Sequence, residues 1–63
     1  MKYIEKYLEE CIKVKPLGEV TTRDDTLYDM TGESVYIDGQ DVGIFVSDAD
    51  YAVWLEKKLE GRI

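Results

Sequence analysis

Ser34-Val35-Tyr36-Ile37-Asp38-Gly39-Gln40-Asp41-Val42-Gly43-Ile44-Phe45-Val46-Ser47 decides the fold. Val35 and Ile37 alternate on one side of the first run, and Val42, Ile44 and Val46 alternate on the second, the period of a half-buried β-strand. Asp38 to Asp41 lies between them as the turn of a β-hairpin. With Gly39 and Gln40 as the central pair of a type II′ turn, Ile37 would face Val42 and Val35 would face Ile44. All five β-branched residues then share one face, while Tyr36 and Phe45 point to the other. Gly43, inside a strand, implies a bulge or the close approach of a large side chain such as Trp54.

Working toward the amino terminus, Thr26 to Met30 reads as a third strand, joined to the hairpin by Thr31-Gly32-Glu33-Ser34, with Val20 to Thr22 extending or preceding it. Residues 2–13 read as a helix. At 100° per residue, Tyr3, Ile4, Tyr7, Leu8, Cys11 and Ile12 fall on one side and Lys2, Glu5, Lys6, Glu9, Glu10 and Lys13 on the other. Pro16 and Gly18 stop it. Toward the carboxyl terminus, Ser47 is a helix cap with Asp50 three residues on, and Asp48, Asp50, Lys57 and Lys58 suit the helix dipole. Tyr51, Ala52, Trp54, Leu55 and Leu59 occupy one broad face of this second helix, Val53 projects from the other, and Gly61 ends it. The expected class is α+β in the order αβββα, a single domain over residues 1–63, because 63 residues supply one modest core. That core is expected to join Ile4, Leu8, Cys11 and Ile12 to Val35, Ile37, Val42, Ile44, Val46, Leu55 and Leu59.

Chemistry is sparse. The chain has no histidine and one cysteine, Cys11, so it lacks an internal disulfide, an ordinary zinc site and a nucleophile–base pair. Cys11, in the apolar stripe, reads as a core residue. The acidic pairs Asp24-Asp25, Asp38/Asp41 and Asp48/Asp50 fit no calcium loop, since the fifth and sixth positions after an Asp48 start are Ala52 and Val53. Gly32, Gly39 and Gly43 form no phosphate-binding loop. A non-enzyme without cofactor or metal is the expectation. No apolar run reaches the length of a membrane span, and Met1 leads into a charged segment without a signal-peptide pattern, which points to the cytoplasm.

The order of elements, together with Val35-Tyr36-Ile37-Asp38-Gly39-Gln40-Asp41-Val42-Gly43, resembles the hairpin and layout of double-stranded-RNA-binding domains. The resemblance implies a shape only. That family grips phosphates with a lysine-rich start to its second helix, where this chain has Ser47-Asp48-Ala49-Asp50.

Net charge is −6, and it is unevenly placed. Residues 19–50 hold nine acids (Glu19, Asp24, Asp25, Asp29, Glu33, Asp38, Asp41, Asp48 and Asp50) against Arg23 alone, whereas both ends are near neutral. Such a balance opposes direct binding of nucleic acid. With five tyrosines and one tryptophan as candidate anchors, it points to a protein-binding module that offers Asp24, Asp25, Asp29, Glu33, Asp38 and Asp41, gathered along one sheet edge, to a partner's basic surface. The sharpest form is an inhibitor that mimics nucleic acid, of the phage or mobile-element type. The alternative is a structural or accessory protein whose main partner is itself, most simply as a two-fold dimer, because so small a core leaves apolar surface over.

Overall fold

The computed structural model describes residues 1–61. Its order is α1 (Ile4–Tyr7, continued by a π-helical turn Leu8–Ile12), β1 (Val20–Leu27), β2 (Met30–Ile37), β3 (Gln40–Ser47) and α2 (Asp48–Glu60), the αβββα arrangement. The three strands form one antiparallel sheet in sequence order.

The β2–β3 hairpin keeps Val35 opposite Ile44 and Glu33 opposite Val46, but its turn is one residue earlier than expected. Asp38 and Gly39 are the central pair, at φ 52° and 79°. Positive φ at both positions is the type I′ conformation, whose twist matches that of the strands. Ile37 therefore faces Gln40, and the register shifts between Val35 and Tyr36. Val42 and Gly43 absorb the shift as a bulge, with Gly43 at φ 75° and nothing within 4 Å of where its side chain would start. The bulge reading of Gly43 holds, and no side chain approaches it. Val42, turned out of the ladder, is 40% exposed and leaves the expected core.

The β1–β2 hairpin corrects the sequence reading more deeply. Thr26 to Met30 is not one strand: the chain reverses at Tyr28 and Asp29, with φ 49° and 64°, and an eight-residue ladder runs from Leu27↔Met30 to Val20↔Ile37. Thr31-Gly32-Glu33-Ser34 lies inside β2. Gly32 is there because β3 passes too close for a side chain: a Cβ would sit 2.2 Å from the Val46 carbonyl oxygen and 2.8 Å from Ser47 Cα.

Both helices lie on the sheet face that carries Val35 and Val46. Ile4, Tyr7, Leu8, Val35 and Val46 form the buried core, with Met1, Val20, Ile37, Ile44, Tyr51 and Trp54 packed around it. The rings of Tyr7, Tyr51 and Trp54 cluster between the helices at centroid distances of 5.4–5.8 Å, in tilted and edge-on contacts, and the Tyr3 backbone N–H donates to the Tyr51 hydroxyl at 2.8 Å. Burial raises the Tyr7 phenol above its ordinary pKa, with Cys11 and Asp50 adding to the shift. Cys11 and Ile12 depart from expectation: both are exposed. The π-helical turn bonds i to i+5, so each residue advances by less than the α-helical 100° and Cys11 no longer lines up with Leu8. Lys13 then takes a left-handed conformation at φ 66°, ending the helix before Pro16.

On α2, Ser47 Oγ accepts the Asp50 N–H at 3.1 Å, the expected cap. Tyr51, Trp54 and Leu55 are half-buried, whereas Ala52 and Leu59, expected on the same face, are exposed. Val53 is exposed as expected. Among the described residues, no helix is long and apolar enough to cross a membrane.

Candidate functional site: the acidic hairpin end

The acids named from the sequence do not share one edge. Asp29 lies in the turn that closes one end of the sheet, while Asp38 and Asp41 belong to the opposite end, about 23 Å away at ~3.3 Å per residue, and Asp24 and Asp25 lie within β1, about 13 and 17 Å along the strand from the Val20↔Ile37 end. Asp24 and Asp25 lie on the β1 edge and Asp41 on the β3 edge.

Four of the six are also engaged internally. Asp38 Oδ1 accepts the Glu19 N–H at 2.9 Å and its own N–H donates to the Glu19 carbonyl at 2.8 Å, which fastens the loop before β1 to the hairpin turn. The fit is close, since a Cβ on Gly18 would fall on the Asp38 carboxylate. Asp41 Oδ1 accepts the Gly43 N–H at 2.8 Å and holds the bulge. Glu33 faces the helices, accepts from the Thr22 hydroxyl and lies 3.6 Å from the Met1 ammonium group. Asp25 accepts from the Ser34 hydroxyl at 2.6 Å and from the Thr26 N–H at 2.8 Å, and these bonds hold its carboxyl below the ordinary pKa. Asp24 and Asp29 are exposed and make no side-chain bond among the described residues.

Around them lies what the sequence reading missed. Leu27, Tyr28 and Met30 are 41%, 87% and 47% exposed, so the tip of the β1–β2 hairpin is apolar and aromatic. Because Ser47 pairs with Gly32, the start of α2 arrives beside β1, and a shallow depression lined by Asp24, Asp25, Thr26, Thr31, Gly32 and Asp48 opens next to the tip. Among the described residues no cation pairs with its acids, and Arg23 lies over the Tyr36 ring at 5.1 Å on the uncovered sheet face. No group of three or more acids or cysteines among the described residues is arranged to hold a metal ion. The tip could have been found from sequence by asking why Leu27-Tyr28-Asp29-Met30 contains neither glycine nor proline yet interrupts a strand.

Comparison of the chain with protein-family models, with curated proteins and with solved structures gives no significant match.

Proposed function

We propose that the chain is a small protein-binding module whose contact surface is the β1–β2 end of the sheet, with Tyr28 as anchor and Asp24, Asp25, Asp29 and Asp48 as its charged surround. The observation that carries this reading is Tyr28 itself. At φ 49° it occupies a left-handed position that glycine or asparagine fills at lower cost, and a bulky residue there is a backbone outlier. At 87% exposure the ring returns nothing in packing. A costly conformation held by an exposed aromatic residue fits a contact made with another molecule. The complementary surface is an apolar pocket bordered by lysine or arginine.

The split of the acids between two ends disfavours nucleic-acid mimicry, which needs one continuous row of charge, and leaves inhibition by plugging a basic pocket as the sharper form. The reading places the module in a reducing, cytoplasmic setting, where the exposed Cys11 thiol stays unpaired. Self-association is the second reading, favoured by the sheet face that carries Tyr36, Phe45 and Arg23, which no helix covers.

Capture from a cell lysate on the immobilised chain tests the first reading. A specific partner is expected at low salt, lost when salt is raised and lost with Tyr28→Gly or with Asp24→Asn/Asp29→Asn. Unchanged capture by both variants would show that the hairpin end is not the contact surface.

A further inference from the structure

The groove between α1 and the last turns of α2 has the opposite character to the hairpin end. Lys6, Glu10, Trp54, Lys57, Lys58 and Gly61 line it, around a volume of about 430 Å³, within the range of sites that take a side chain or small ligand. Among the described residues, three ammonium groups and one carboxylate line the groove. Glu10 pairs with Lys58 and lies 4.0 Å from Lys6, and Lys57 has no ion pair among the described residues. The hydrogen bond from Lys58 is the chief reason that the Glu10 carboxyl is held below its ordinary pKa.

Trp54 lines the same groove. Its Nε1 is buried without an acceptor in good hydrogen-bond geometry, and the indole N–H lies toward the Glu10 carboxylate and helps hold that carboxyl below its ordinary pKa. The surplus of ammonium groups over the one carboxylate suits the groove to an anionic group.

We infer that the groove receives the acidic hairpin end of a second copy of this chain, with the Tyr28 ring against Trp54 and the carboxylates of Asp24 and Asp29 among Lys6, Lys57 and Lys58. This rests on the hairpin reading above and names its partner. Charge complementarity carries the choice: the chain is strongly acidic overall, yet this groove gathers three of its six lysines, so it offers the basic surface that the hairpin end lacks within its own copy. The two surfaces cannot meet in one molecule. Asp48, at the acidic end, opens α2, while Lys57 and Lys58 close it about 15 Å further along the axis. A contact between unlike surfaces is heterologous, so copies add head to tail into chains or rings rather than stopping at a two-fold pair.

Sedimentation of the full chain over a wide concentration range tests the inference, with the emission of Trp54, the only tryptophan, read in parallel. At low salt the mean mass should climb from 7.3 kDa past twice that value, the emission should change over the same range, and added salt should reverse both. A charge swap makes the test specific. Lys6→Glu/Lys57→Glu and Asp24→Lys/Asp29→Lys should each remain at 7.3 kDa alone, with circular dichroism confirming the fold, and an equal mixture should assemble again. A parent chain that stays monomeric, a single variant that assembles like the parent, or an inert mixture would overturn the inference. So would a Trp54 emission change with sodium succinate in a protein that stays at 7.3 kDa, since the groove would then be a small-anion site. A monomeric parent whose lysate partner is still lost on Tyr28→Gly would sink the self-docking and leave the hairpin reading standing.

Discussion

A methyl group at position 32 would collide with the backbone of β3, where neither the Val46 carbonyl nor Ser47 Cα can swing aside, whereas one at position 43 would meet open space. Gly32→Ala is therefore expected to cost at least about 3 kcal/mol, at the upper end of what overpacking does. Gly43→Ala should cost about 1–2 kcal/mol, from its positive φ alone. Urea titration of the two variants gives the order, and a larger loss at position 43 would contradict the assignment of Gly32 to close approach. Asp25 provides a pH test. Its folded pKa is depressed, so the stability it contributes is fully present above the ordinary value of 3.8 and disappears as pH falls through the lower folded value. Ser34→Ala removes the largest cause of that depression. Its destabilising effect should therefore be greater at pH 6 than at pH 2, measured by thermal melting at both. An effect that is equal or greater in acid would mean that the Ser34 hydroxyl does not favour the ionised carboxylate.

Elements were legible where one local signal dominates and misread where a neighbour overrides it. The apolar stripe of α1 is correct at Ile4, Tyr7 and Leu8, all buried, but not at Tyr3, which is exposed, and it fails at Cys11 because nothing local in Leu8-Glu9-Glu10-Cys11-Ile12 announces a π-helical turn. Leu8→Ala should cost about 2–5 kcal/mol and Cys11→Ser no more than about 0.5 kcal/mol in the same denaturation assay. Comparable losses would restore Cys11 to the core. Asp38-Gly39 advertises its turn, while Tyr28-Asp29 does not, and Gly32 resembles a turn residue though it sits mid-strand. What sets the first hairpin is the ladder with β2 and the pressure of β3 on Gly32, both properties of the assembled sheet. The same limit governed the acids. Sequence located the charge in the middle of the chain, but only the fold separates Asp38 and Asp41, which hold a turn and a bulge, from Asp24 and Asp29, which hold nothing.

The whole molecule is a slab of 33 × 30 × 17 Å, one sheet under one layer of helix, and it exposes 4665 Å² where a compact protein of its mass exposes about 4,200 Å². So open a shape buries few apolar residues, and the uncompensated charge weighs more against a small total stability. Asp24 stands opposite Glu33 across the β1–β2 ladder, with Asp25, Asp29 and Asp48 at the same end, and like charges so placed repel. The parent chain should thus melt at a higher temperature as salt is raised, because screening acts first on exposed charges of like sign. Asp24→Asn/Asp29→Asn should reproduce part of that gain at low salt and respond less to added salt, and asparagine tolerates the left-handed conformation at position 29. Asp38→Ala also removes one negative charge but should lower the melting temperature. It takes away the acceptor for the Glu19 N–H and puts alanine at φ 52°, each worth about 1 kcal/mol. If the parent melts lower in salt, or if Asp24→Asn/Asp29→Asn gains nothing, attraction at Glu10–Lys58 and Glu33–Met1 outweighs repulsion at the hairpin end. The exposed acids would then carry no stored cost for a partner to relieve.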